Sequence, residues 1–191
     1  MFLSISSNVQ SLFGSANIFF GNSSGYSNTE GSFNNCVGAS AGFSNTTGLY
    51  NNYFGSNAGY LTTTGSSNSF LGSDAGYSNT EGSGNVFLGY QAGFNETGSN
   101  KLYISNSETD SPLIYGEFDN EYLEVNGDLN VAGYIQLDLT ENSPPVADCD
   151  DPSEYGRQKV DAINKLLYIC VADGWMSMQG GTPKVVVIPL M

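Results

Sequence analysis

Gly25, Gly42, Gly59, Gly76 and Gly93 stand seventeen residues apart, and each is followed by Tyr or Phe. A second column (Gly14, Gly31, Gly48, Gly65, Gly82) and a third (Gly21, Gly38, Gly55, Gly72, Gly89) keep the same spacing without a slip. Self-similarity at a fixed short period marks a stacked architecture, in which each repeat is one unit that packs on its neighbours. Side chains are then read as columns down a stack, not as motifs along a chain.

The aligned units are GSANIFFGNSSGYSNTE, GSFNNCVGASAGFSNTT, GLYNNYFGSNAGYLTTT, GSSNSFLGSDAGYSNTE and GSGNVFLGYQAGFNET, the last one residue short. So much Gly and Asn excludes helix, since each interior Gly costs roughly 0.8–1 kcal/mol there. The pattern predicts two short strands per unit, separated by Gly-containing turns. Stacking successive units brings like residues about 4.8 Å apart. Phe20, Val37, Phe54, Leu71 and Leu88 then form an apolar ladder, and Tyr26, Phe43, Tyr60, Tyr77 and Phe94 an aromatic one. Ala41, Ala58, Ala75 and Ala92 make a small-residue ladder where walls approach. Asn17, Asn34, Asn51, Asn68 and Asn85 align so that their amides hydrogen-bond along the stack. Large apolar residues are scarce in each unit, barely enough to fill a coil. Sharing one apolar face with two partner chains uses them better, which points to a homotrimer.

Charge narrows the function classes. The 191-residue chain carries a formal net charge of −14, with five Lys and Arg and no His. Before Lys101 the acids are Glu30, Asp74, Glu81 and Glu96, and no basic residue occurs. Nucleic acid is excluded as an expected partner, because phosphate binding needs a basic footprint. No apolar run approaches the ~18 residues of a membrane span, so no membrane insertion is expected. The opening MFLSISSNVQ lacks the basic n-region and long apolar core of a secretory signal. Phe2-Leu3-Ser4 lies one period before Phe19-Phe20-Gly21, so the chain reads as starting inside a repeat, as a fragment or with Met1 against another subunit.

The segment GSGNVFLGYQAGFNETG, running into NKLYISNSETDSPLIYGEFDNEYLEVNGDLNVAGYI, resembles the repeat and exit region of trimeric phage tail fibres and related bacterial surface fibres. More loosely, the repeats resemble the Gly-rich heads of trimeric autotransporter adhesins such as YadA. The resemblance covers roughly residues 2–137. It implies a trimeric β-structured shaft with spacer or adhesive duty. Two family features have no counterpart here: a self-cleaving terminal chaperone is not recognisable in residues 138–191, nor is a membrane-anchor barrel.

Beyond Gly98 the period fails and ordinary strand signals begin, at residues 101–106, 112–118, 122–126 and 129–137, with Asn126-Gly127 as a hairpin-type turn. Residues 140–153, rich in Pro and Asp, read as a linker. Residues 154–191 read as a small module, with two strands around residues 162–165, a turn at Asp173-Gly174 and a last strand over 184–190. Its pattern of Cys, Gly-Arg, a strand ending in Cys and then Gly-Trp resembles, over about thirty residues, end modules of other fibre-like and secreted bacterial proteins. The expected organisation is all-β. A parallel β-solenoid or β-roll of seventeen-residue repeats spans 1–98, a β stalk or closing region 99–139, a linker 140–153 and a C-terminal β module 154–191.

Candidate sites are few. A Cys149–Cys170 disulfide would close a loop of about twenty residues, worth roughly 3 kcal/mol in the chain-entropy model, with two free thiols as the alternative. It implies an oxidising, extracellular setting. Cys36, in line with Phe19, Tyr53, Phe70 and Phe87, reads as a packed residue. Asp148, Asp150 and Asp151 read as a solvated acidic linker, because their spacing matches no calcium loop. With no His base, nucleophile elbow or defined carboxylate pair, no catalytic residue, metal ligand or cofactor is assigned.

Tyr155 and Trp175 are candidate glycan contacts, with packing under the small module as the competing role for Trp175. The Thr29, Thr46, Thr63, Thr80 and Thr97 column reads as turn Thr bonded to local backbone. The expected function is a non-enzymatic fibre segment, on a virion or outside a cell, that presents its C-terminal module to a surface, plausibly glycan. The alternatives are a filament subunit assembling head to tail and a monomeric ligand- or ice-binding solenoid; a polysaccharide depolymerase ranks last.

Overall fold

The computed structural model describes residues 14–132, 139–140, 158–161, 166–172, 174–179 and 182–184. The chain divides into two compact units, Met1–Leu129 and Asn130–Met191. Every regular element among the described residues is a strand.

In the first unit, β1 (Ile18–Phe20), β2 (Asn35–Val37), β3 (Asn52–Phe54), β4 (Ser69–Leu71) and β5 (Val86–Leu88) pair in parallel, each with the strand one repeat on. Like faces like: Phe19 pairs with Cys36, Cys36 with Tyr53, Tyr53 with Phe70 and Phe70 with Phe87. The unit is a parallel β-solenoid of seventeen-residue coils. β6 (Lys101–Ile104) joins after a coil one residue shorter, pairing Phe87 with Tyr103. The sheet then reverses through β7 (Ile114–Glu117) and β8 (Tyr122–Val125), both antiparallel.

Each coil holds one three-residue strand, not the two expected. The reason lies in the backbone of the second wall. Ser23, Ser40, Asn57, Asp74 and Gln91 all adopt positive φ of 55–57°, and the glycines two residues later have φ of 59–62°. Two left-handed residues so close together bend the chain too sharply for a strand. The wall still bonds coil to coil: Gly25 N–H donates to the Ala41 carbonyl at 2.9 Å, and Gly42 N–H to that of Ala58 at 2.9 Å. At the corner before this wall, Gly55 has φ +145°, and a Cβ there would lie 2.3 Å from the Gly72 carbonyl oxygen. Only glycine lets successive backbones approach so closely.

Alternation along each strand decides what is core. The middle residues Cys36, Tyr53, Phe70 and Phe87 are fully buried, with Phe19 and Tyr103 at the ends of the row. Ala41, Ala58, Ala75 and Ala92 face them from the opposite wall, also fully buried. The stack ends by a change of ring orientation. Phe70 lies nearly parallel to Phe87 (3°), whereas Tyr103 stands at 79° to Phe87 and Tyr115 at 89° to Tyr103.

In the second unit, β9 (Leu139–Thr140) pairs in parallel with β10 (Gln158–Asp161). β10, β11 (Leu166–Val171), β12 (Gly174–Gln179) and β13 (Thr182–Lys184) form an antiparallel meander. β10 and β11 flank residues 162–165 as the sequence implies. The strand expected over 129–137 is absent at 129–132, and 133–138 lie outside the described residues. Asn126-Gly127 is not a hairpin turn but follows the last strand of its sheet; the tight reversal is at residues 118–121, between β7 and β8. The expected last strand over 184–190 falls outside the described residues beyond Lys184.

Candidate functional site

The strand residues on either side of the buried row point outward. The Phe20, Val37, Phe54, Leu71, Leu88 ladder is therefore aligned, as read from the sequence, but lies on the surface and does not fill the coil. It continues through Ile104 to Ile114 and Val125. Near its end, a groove of about 550 Å³ is lined by Leu88, Ile104 and Leu113 together with Ser105, Asn106 and Asn126.

The aromatic ladder forms a continuous stack. Tyr26, Phe43, Tyr60, Tyr77 and Phe94 have centroids 4.9–5.2 Å apart and planes within 10°. Each inner ring has both faces covered by its neighbours, so the stack presents edges outward. A ligand that stacks on aromatic faces finds a free face only at the two ends of this column.

Buried polar ladders hold the walls together. Asn51 Oδ1 accepts from Asn68 N–H at 3.0 Å, and Asn51 Nδ2 donates to the Gly65 carbonyl at 2.8 Å. The same pair of bonds recurs at Asn17, Asn34, Asn68 and Asn85. These bonds run from coil to coil along the stack, but each amide reaches backbone groups of the next coil and not the neighbouring side-chain amide. A second column, Asn28, Asn45, Thr62 and Asn79, escaped the sequence reading although it precedes the noticed Thr column by one residue. There Asn45 Nδ2 donates to Asn28 Oδ1 at 2.7 Å. Burial at 2% also closes Asn45 to glycosylation despite its Asn-Thr-Thr context.

The Thr hydroxyls are committed too. Thr29, Thr46 and Thr63 donate to the carbonyls of Thr46, Thr63 and Thr80 at 3.0–3.1 Å, one coil on and not within their own turns. Those three have no hydroxyl proton left for ice.

An ion pair ties the closing strands together. Lys101 Nζ lies 2.7 Å from Glu117 Oε1, which also accepts from the Tyr115 hydroxyl, while Asn120 donates to Oε2. The Lys101 ammonium, with help from Tyr115 and Asn120, lowers the Glu117 pKa to about 2. Tyr103 donates to Glu96 Oε2 at 2.9 Å, and burial first, then that carboxylate, push its phenol up. Burial pushes the Cys36 thiol up to about 12, which suits a packed residue and not a nucleophile. Among the described residues no three His, Cys, Asp or Glu gather as a metal site would need.

Of the other sequence-derived candidates, Trp175 lies on β12, paired across the ladder with Cys170. Cys170 is buried and disulfide-bonded. Tyr155, Cys149 and the Asp148, Asp150, Asp151 group lie outside the described residues. Among the described residues no helix is long and apolar enough to cross a membrane.

The fold and its ladders define a β-solenoid repeat protein. Compared with protein-family models, curated proteins and solved structures, the chain matches none.

Proposed function

We propose that this chain is a segment of a non-enzymatic structural fibre, of the tail-fibre or bacterial surface-fibre kind that its repeat resembles. The coil stack acts as a stiff shaft. Three copies assemble around a common axis, and the C-terminal module, closed by a Cys149–Cys170 disulfide, is held out toward a surface glycan beyond the cell or on a virion.

The observation that carries this reading is the unbroken run of inter-coil bonds. Coil after coil repeats the same backbone bonds and the same asparagine bridge, from Asn17 down to the Lys101 amide. Local opening of such a stack must break many bonds at once, which suits an exposed, protease-resistant spacer.

Light scattering, electron microscopy and a glycan array test the reading. A mass of three chains, short rods of one length and binding lost on removal of residues 154–191 are expected. A mass of one chain overturns the fibre reading. Rods of indefinite length replace it with the head-to-tail filament, which an open heterologous interface would build.

A further inference from the structure

The exposed row on the strand wall belongs to no role described so far. Ile18, Phe20, Leu71 and Leu88 are 59, 47, 53 and 42% exposed, although they sit on the regular strands of the coil. A soluble monomer rarely shows so long an apolar row without a partner for it.

We propose that this face is where copies of the chain pack on one another, side by side, parallel and rung against rung; the inference rests on the trimeric reading above. Three features select a second copy as the occupant. The first is charge. The acids of the coil stack, Glu30, Asp74, Glu81 and Glu96, all lie off the strands, so the face is neutral within a chain of net charge −14. A basic partner finds nothing to pair with there, and two acidic copies meet where repulsion is least.

The second feature is pitch. The rungs recur at about 4.8 Å, and a second stack carries the same spacing along its whole length. The third is area. A Phe offers about 150–250 Å² in all, so half-exposed rungs supply on the order of 100 Å² each. Six rungs supply at most about 600 Å² of the ~800 Å² per partner of a stable interface, and Ile18, Asn35, Asn52, Ser69 and Val86 on the same outer face bring the remainder, partly as a polar rim.

The test combines mass with cross-linking. Leu71→Cys sits on the face, and Thr64→Cys, an exposed position off the strands, serves as control. Under mild oxidation of the full chain, Leu71→Cys should form covalent dimers and Thr64→Cys should not. Leu71→Glu should reduce the wild-type mass at least twofold with unchanged circular dichroism. A wild-type mass of one chain overturns the trimeric reading and this face together. An oligomer that cross-links at Thr64→Cys as readily as at Leu71→Cys, or that stays assembled as Leu71→Glu, overturns the face alone. Should Leu71→Glu fail to fold, the two cysteine variants still decide.

Discussion

Tyr53 and Thr62 adjoin inside one coil, and their hydroxyls are both buried without a well-formed hydrogen bond. At its buried positions, these are the two residues by which that coil departs from the next. Tyr53 stands where the next coils have Phe70 and Phe87, and Thr62 where the flanking coils have Asn45 and Asn79. The shorter Thr leaves Asn45 Oδ1 without the amide donor that Asn45 itself supplies to Asn28.

This pairing makes a coupled prediction. Thr62→Asn alone gains little, because the phenol already occupies the neighbourhood of the added amide. Tyr53→Phe with Thr62→Asn completes both ladders and should raise stability by about 1–3 kcal/mol, the usual cost of a buried unsatisfied group. A double-mutant cycle by chemical denaturation checks the non-additivity.

Glycine is required at one corner and optional at another. Gly55→Ala should destabilise the protein by about 1–3 kcal/mol through φ alone, with backbone overlap against Gly72 added. Gly84 has φ +70° in a column where Phe33, Tyr50 and Ser67 carry side chains at φ 58–60°, so Gly84→Asn should be nearly neutral. Thermal unfolding of the two variants side by side decides this.

Removing one rung of the asparagine ladder strands two backbone groups, the Asn68 N–H and the Gly65 carbonyl. Asn51→Ala should therefore cost about 2–6 kcal/mol, each buried group forfeiting roughly 1–3. Hydrogen exchange should speed up first at the Asn68 amide.

The pH response of the closing strands follows from Glu117. Its pKa is lowered to about 2, chiefly by Lys101, against an ordinary value of 4.5. The carboxylate therefore adds stability above pH 4.5 that is lost as pH falls towards 2. Lys101→Met should move the Glu117 titration, followed by NMR, up towards 4.5.

Cys36 should resist alkylation in the native protein at pH 8, since its pKa is pushed up to about 12. In denaturant without reductant, a thiol count of one per chain is expected if Cys149 and Cys170 are paired, and a count of three refutes the pairing.

Sequence periodicity revealed the stack, its corners and its columns, because those depend on glycine and on register. It did not reveal which member of each apolar pair turns inward. Phe19-Phe20, Tyr53-Phe54 and Phe87-Leu88 are apolar at both positions, so alternation alone cannot choose. The choice is made across the coil, where a Cβ on Gly93 would fall 2.7 Å from the Phe87 ring. The turn character of the second wall is also hidden in the sequence. Its left-handed positions carry Ser, Asn, Asp and Gln in turn, and only Asn and Asp hint at that conformation in sequence.

The perpendicular rings of Tyr103 and Tyr115 give the coil stack a fixed terminator that is indifferent to how many coils precede it. Duplicating or deleting seventeen codons upstream would change the reach of the molecule by about 4.8 Å each time, with no other junction to redesign. Such a gene can tune distance as a ruler is cut, in whole divisions.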